Sequence, residues 1–218
     1  MSNLGNAYCD LGQIEEAIVY YKQALYISRE FENKQKESSI LGNMGNAFYA
    51  FGQILKAIDY YEQAFSISRD IGDRKNEGIW LGNIGASYRE LGLTEKAIDY
   101  CEQALSISRD IGDRQDEGIW LGNLGASYRE LGLPEKAIDY CEQALVIFRD
   151  IGHRKNEGNQ LSHLGSSYFD LGQIEKAIKY YEQSLFIFKD IGHLHGEDFC
   201  LSKLSNFGKY KTKQNHVD

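Results

Sequence analysis

Asparagine recurs once per 40 residues along this chain, and its amide side chain is suited to pairing with a peptide backbone. The series is Asn3, Asn43, Asn83 and Asn123, and His163 takes the fifth place. An amide offers two N–H donors and a carbonyl acceptor, so it can bind a backbone whatever side chains that backbone carries. These residues are therefore candidates for contacting an extended peptide. The alternative is that they face water or cap a neighbouring turn.

Further polar side chains lie three to seven residues after Asn43, Asn83 and Asn123. They are Asn46, Tyr49, Arg89, Glu90, Arg129 and Glu130. A guanidinium can bind a carboxylate through two parallel hydrogen bonds, so the two arginines predict a partner with acidic residues. The alternative is a structural ion pair with Glu90 or Glu130 from the same or the next unit, which contributes little where it is exposed.

A glycine precedes three of the asparagines, at Gly42, Gly82 and Gly122. Glycine inside a helix costs about 1 kcal/mol relative to alanine, so its repetition on one face suggests a use. Without a side chain, these positions would let a bound backbone come near. The alternative is that they serve the packing of one helix on another.

No residue pattern predicts catalysis, a metal site or a cofactor. Cys101 and Cys141 lie one repeat apart, at roughly the 8–10 Å between packed helices. That is too far for a disulfide, and we interpret both as core residues. His193 and His195 lack the further ligands that a metal site requires. The recurring Leu-Gly-Asn-x-Gly lacks the Lys-Ser/Thr of a phosphate-binding loop. We therefore expect a protein that is not an enzyme.

Composition argues against several classes of partner and compartment. The formal net charge is -8, whereas a nucleic-acid-binding protein usually shows a basic face. No run of about 18 apolar residues is present to span a membrane, and the first residues lack the basic and apolar regions of a secretory signal. The four cysteines predict no disulfide framework, so the cytoplasm is the expected compartment. A short basic stretch near the end is interpreted as a solvated terminus. Its residues are Lys203, Lys209, Lys211 and Lys213.

The elements that carry these side chains come from one helical unit that is repeated. Residues 73–112 and 113–152 are identical at 34 of 40 positions. Within the second copy, Asp113 is suited to cap a first helix, Gly132 to end it in the left-handed conformation, and Pro134 to open a second helix. Apolar residues of that second helix follow at helical spacing and predict a stripe buried against two neighbours. They are Ala137, Ile138, Cys141, Ala144, Leu145 and Phe148.

At these positions the sequence resembles the tetratricopeptide repeat family. The resemblance is carried by Leu121, Leu124, Gly125, Tyr128, Ala137, Cys141 and Ala144 and their counterparts in the other units. The period is longer than the usual 34 residues and is similar to that of the Pins/LGN-type cell-polarity adaptors and their bacterial relatives. The resemblance implies an all-α, right-handed α-solenoid whose first helices line a concave groove. The asparagine, arginine and tyrosine series would then contact a peptide held in that groove.

We predict five tandem repeats over residues 1–196, the first truncated at its N-terminal end, a capping helix over 197–210 and a polar tail over 211–218. Second helices should begin near residues 14, 54, 94, 134 and 174. The leading hypothesis for function is a scaffold or adaptor that binds a peptide segment of a partner protein. The alternative is a structural module that forms a homo-oligomer through its truncated first helix, or the sensor arm of a larger signalling protein.

Overall fold

The structure, a computed structural model, describes the backbone of residues 2–214 and the side chains of residues 2–207. This part of the chain forms eleven α-helices and no strand. The helices are α1 (Ser2–Asp10), α2 (Ile14–Glu30), α3 (Lys34–Ala50), α4 (Ile54–Asp70), α5 (Arg74–Glu90), α6 (Thr94–Ile111), α7 (Arg114–Glu130), α8 (Pro134–Asp150), α9 (Arg154–Asp170), α10 (Ile174–Asp190) and α11 (Leu194–Gln214). The predicted architecture of five helix pairs with a terminal helix is confirmed.

The predicted tail falls partly outside the described residues. Helix α11 continues through the first part of that tail, and residues 215–218 lie outside the described chain. The side chains of three of the basic residues near the end, Lys209, Lys211 and Lys213, lie outside it as well. Among the described helices, none combines the length and the apolar character that crossing a bilayer requires.

The chain divides into two compact units, Met1–Asp113 and Arg114–Asp218. In the first unit, α1 packs on α2, and each following helix packs on the next as far as α6, while α3 also contacts α1 and α5. In the second unit, α7 to α11 pack in the same order, and α9 also contacts α7 and α11. Within each unit, first helices are therefore neighbours of first helices, as the 40-residue period predicts.

Glycines and a proline set the helix boundaries. The second helices begin at residues 14, 54, 94, 134 and 174, as predicted, and Pro134 lies in the first turn of α8. Nine turn glycines, Gly132 among them, have φ angles from 65° to 74°, a conformation that glycine adopts without steric cost. At one such turn Glu32 takes a φ of 50°, where Gly72 stands one repeat later.

The side chain before several first helices caps that helix. Asn33 and Asp73 accept a hydrogen bond from the backbone N–H three residues on, at 3.0 and 3.2 Å. His153 and His193 accept the equivalent bond through Nδ1, at 3.4 and 3.1 Å. A neutral histidine that accepts through Nδ1 carries its proton on Nε2. The two histidines are therefore helix caps, and they stand in the place that Asp73 occupies in its own repeat.

The core is built from the predicted apolar stripes. Ala97 and Ala137 are fully buried, and a Cβ added to Gly85 would lie 3.0 Å from the carbonyl oxygen of Ala97. The two helices of a pair thus approach closely at this point. Cys101 and Cys141 are buried in the same stripes, and burial raises the pKa of both thiols to about 12. Their assignment as core residues is confirmed.

A buried carboxylate near the start of a first helix is a feature that our reading of the sequence missed. These residues are Glu37, Glu77, Glu117 and Glu157. Glu37 accepts from Arg29 Nε on α2 and from Lys34 Nζ on α3, both at 2.8 Å. Burial by itself raises the pKa of Glu37, but the hydrogen bonds and charges of Lys34 and Arg29 outweigh it, and the pKa is lowered. The carboxylate therefore ties the end of one helix pair to the start of the next.

Candidate functional site

The asparagine series lies on the first-helix face of the first unit, which we define as the side of α1, α3 and α5 that carries Asn3, Asn43 and Asn83. Asn3 is exposed, and Asn43 and Asn83 are half-buried. The Nδ2 of Asn83 donates to Oδ1 of Asn46 across 3.4 Å. The structure thus brings an amide of α3 and an amide of α5 into contact.

Between α1 and α3, this face contains a groove of about 420 Å³. Its polar lining includes Asn6 and Asp10 of α1 and Asn43 and Asn46 of α3, while Ala50 contributes only a methyl group. Amide donors and acceptors beside a single carboxylate suit a ligand that brings its own N–H and C=O groups. An extended peptide is such a ligand.

Asn46 also accepts a hydrogen bond from a core tyrosine, a contact that we did not predict from the sequence. The hydroxyl of Tyr61 donates to Oδ1 of Asn46 at 2.7 Å, and Tyr21 donates to Asn6 at the same distance one repeat earlier. Oδ1 of Asn46 therefore already accepts from Tyr61 and from Asn83. A ligand would have to use the amide nitrogen or compete for this oxygen.

The sequence held a signal for this pairing. One position of each second helix holds either tyrosine or cysteine. In the repeats where it is tyrosine (Tyr21, Tyr61 and Tyr181), the residue 15 places earlier is asparagine or serine. Where the position is Cys101 or Cys141, that residue is alanine. The serine 15 places before Tyr181 lies 2.9 Å from its hydroxyl. A polar residue is thus present in the repeats where a tyrosine hydroxyl needs a hydrogen-bond partner, and alanine is present in the repeats without that hydroxyl.

Two of the three glycines beside the asparagines, Gly42 and Gly122, serve helix packing, which corrects the interpretation that they admit a bound backbone. Gly42 is buried, and a Cβ added there would overlap the ring of Trp80 on the next first helix. Gly122 is buried as well, and a Cβ there would lie 2.6 Å from Nε2 of Gln160. The space left by the absent side chain is already filled by protein, so no ligand backbone enters it.

Arg129 forms a structural ion pair with the next repeat. Its Nε lies 2.6 Å from Oδ2 of Asp170, and the two side chains are 37% and 34% exposed. Asp170 occupies, one repeat later, the place of Glu130. Arg129 therefore forms an ion pair between repeats, as the alternative interpretation expected, but its partner is Asp170 and not Glu90 or Glu130. An acidic ligand at this point would compete with Asp170.

Three of the predicted site residues lie close together on α3 and α5. Burial raises the pKa of Tyr49, and the carboxylate of Glu90, to which the phenol donates a hydrogen bond, raises it further, whereas the charge of Arg89 lowers it. Tyr49, Arg89 and Glu90 thus form a polar group at one end of the first-helix face.

The remaining predicted residues belong to the second unit. Asn123 on α7 and His163 on α9 are half-buried, and Glu130 is the exposed last residue of α7. No group of three or more His, Cys, Asp and Glu side chains within the described residues is arranged to hold a metal ion.

These stacked helix pairs define a class of repeat protein. The tetratricopeptide repeat family model matches residues 1–70, 76–150 and 117–190, and the chain belongs to that family. The finer likeness to Pins/LGN-type adaptors stays a prediction. No curated protein matches the sequence significantly.

Several solved structures share this fold. Aspartyl phosphate phosphatase F from Bacillus subtilis matches with a TM-score of 0.83 at 20% identity, covering 97% of this chain and 56% of that chain. A signal transduction ATPase with a tetratricopeptide repeat sensor from Pyrococcus horikoshii matches at 0.75 and 25% identity, covering 99% and 36%. A Rap protein complexed with Competence and Sporulation Factor matches at 0.73 and 16% identity, covering 98% and 75%. The first and third likenesses, at these identities, show the fold alone.

Proposed function

We propose that this protein binds an extended segment of a partner protein on its first-helix faces, with asparagines pairing to the backbone of the segment. The observation that carries the proposal is the groove between α1 and α3, whose lining includes the side chains of Asn6, Asn43 and Asn46. A polar group buried without a partner costs about 1–3 kcal/mol, so a groove lined by amides favours a ligand with unpaired backbone groups. A structural relative complexed with Competence and Sporulation Factor supports a binding role for this fold.

The proposed contacts divide between the two units. They are Asn43, Asn46, Tyr49, Asn83, Arg89 and Glu90 in the first unit, and Asn123, Arg129, Glu130 and His163 in the second. The asparagines contribute affinity that does not depend on the sequence of the ligand, because they form hydrogen bonds with its backbone. The charged residues supply the preference for particular side chains.

The preference for acidic segments rests on Arg129 and its neighbour. Asp170 competes for the guanidinium at 2.6 Å, so Asp170→Asn should strengthen the binding of acidic peptides and leave neutral peptides unchanged. Added salt should reduce the gain, because the Debye length shortens to about 8 Å at physiological ionic strength. An equal effect on acidic and neutral peptides would remove Arg129 from the proposed site.

Selection from a displayed peptide library tests the proposal without a known partner. Peptides enriched on the wild-type protein are screened against an Asn43→Ala/Asn83→Ala variant. Peptides that address the first-helix face should be lost on this variant and kept on Asp59→Ala/Asp99→Ala, which alters exposed residues of α4 and α6. Enriched peptides that bind the asparagine variant as well as the wild type would exclude the proposed face.

A second function, the sensor arm of a larger signalling protein, is favoured by the Pyrococcus horikoshii structure, which carries a tetratricopeptide repeat sensor. Self-association is the structural alternative. Analytical ultracentrifugation at several protein concentrations distinguishes self-association from partner binding and from a role as a sensor arm. A mass that rises with concentration supports a homo-oligomer, and a constant monomer mass supports a module that binds other proteins.

A further inference from the structure

A second groove lies on the second helices of the second unit. It has a volume of about 520 Å³ and runs between α8 and α10. Val146 and Arg149 of α8 and Lys176 and Lys179 of α10 form its walls. None of the proposed asparagine contacts belongs to this groove.

An aromatic stack forms another part of the lining. The rings of Tyr168 and Tyr180 lie parallel with their centroids 5.2 Å apart, and both residues line the groove. The Nζ of Lys176 lies 4.9 Å from the centroid of the Tyr168 ring, a cation–π contact that holds the ammonium beside the groove. Val146 extends the apolar surface and is 56% exposed.

Two departures from the repeat pattern give this groove its character. The position of Lys179 is aspartate in the three preceding repeats, and the position of Val146 is serine in the two preceding ones. The first change replaces a negative charge by a positive one, and the second replaces a hydroxyl by an apolar group. These two residues make the lining of the groove more basic and more apolar than the corresponding positions of the two repeats before it.

The charge of the lining is opposite in sign to that of the chain. Arg149, Lys176 and Lys179 face one carboxylate in the lining, Glu142, whereas the whole chain has a net charge of -8. Glu157 accepts from Nε of Arg149 at 3.0 Å and orients the guanidinium, which stays half exposed. Complementary charge across an interface favours a partner of the opposite sign and speeds its encounter.

We infer that this groove is a docking site for a short acidic segment of a partner protein that also carries aliphatic or aromatic side chains. Carboxylates of the segment pair with Lys176, Lys179 and Arg149, and its apolar side chain packs on Val146 and the tyrosine stack. This inference goes beyond the function proposed above, because it places a second binding surface on the second helices.

The test uses a fluorescein-labelled peptide that alternates glutamate and leucine, with fluorescence anisotropy as the readout. The wild-type protein should bind it saturably and should not bind an alternating lysine and leucine peptide. Lys179→Asp introduces the residue of the three preceding repeats and should weaken binding about tenfold or more, which is the loss expected for a hydrogen bond to a charged group. Lys189→Asp makes the same charge change on α10 outside the groove and should alter the affinity less than about twofold.

Two further variants keep the test decisive. Lys179→Gln removes only the charge and should weaken binding in the same direction, and Val146→Ser should weaken it by the loss of apolar contact. Lys179→Asp should cause the same fold-loss of binding in the Asn43→Ala/Asn83→Ala background as in the wild type, which separates this site from the first-helix face. Failure of the wild type to bind, equal losses for Lys179→Asp and Lys189→Asp, or a preference for a single-stranded oligonucleotide over the peptide would overturn the inference.

Discussion

Replacing Glu157 by glutamine tests how the buried carboxylates join successive helix pairs. Oε1 of Glu157 accepts from Arg149 Nε at 3.0 Å, and Oε2 accepts from Arg154 Nη1 at 2.6 Å, while the side chain is 9% exposed. One arginine lies at the end of α8 and the other at the start of α9. The carboxylate therefore fixes the turn between two helix pairs.

The size of the effect follows from these contacts. Hydrogen bonds to charged groups contribute about 1.5–3 kcal/mol each, which sets an upper limit. The two arginine side chains are 50% and 41% exposed, so water partly replaces the lost carboxylate, and glutamine still offers one acceptor. We expect a loss of about 2–3 kcal/mol, below the 3–5 kcal/mol of a fully buried pair. For a chain of this length, that corresponds to a fall in Tm of about 4–12 °C.

Thermal unfolding followed by circular dichroism measures the change. Glu182→Gln is the matched control, because it removes the same charge from an exposed position on α10, where substitutions usually stay within about 0.5 kcal/mol. Equal Tm values for the Glu157 variant and the wild type would refute the reasoning that this carboxylate holds the two pairs together.

Other positions give expected outcomes of defined sign. Glu32 has a φ of 50°, so Glu32→Gly should raise the urea midpoint by the equivalent of about 1 kcal/mol. Ala137 is fully buried, so Ala137→Leu should cost about 1–3 kcal/mol, and an unchanged Tm would contradict its placement. Lys34 and Arg29 outweigh burial and lower the pKa of Glu37. Its contribution to stability is therefore present above the unfolded pKa of about 4.3 and lost as pH falls through the lower folded value. Glu37→Gln should remove this part of the acid-unfolding curve.

The helix pairs could be predicted from the sequence because their signals are local. Asp73 caps the helix that follows it, Gly132 takes the left-handed conformation, and Pro134 opens α8. Each of these depends on residues within one or two turns. Because similar residues recur every 40 positions, the same prediction applies to every repeat. It requires no knowledge of contacts between residues that are distant in the sequence.

The side-chain partners could not be predicted in the same way, because they depend on how one helix sits on another. The ring of Trp80 occupies the space beside Gly42, and the amide oxygen of Asn46 accepts a hydrogen bond from the hydroxyl of Tyr61. Both contacts join different helices and follow from the register between them. The sequence did contain one indication of the tyrosine contacts. Where cysteine replaces tyrosine, as at Cys101, the residue 15 places earlier is alanine and no longer a polar residue.

Calorimetric titration of one selected peptide tests most directly whether the asparagines of the first-helix face bind a peptide backbone. We predict that Asn43→Ala/Asn83→Ala raises the Kd about 5- to 150-fold, as expected for two hydrogen bonds of about 0.5–1.5 kcal/mol each, with an unchanged circular dichroism spectrum. Asp59→Ala/Asp99→Ala should leave the Kd within about twofold. A Kd that is unchanged by the asparagine pair and raised by the aspartate pair would contradict the account and move the site to the second helices.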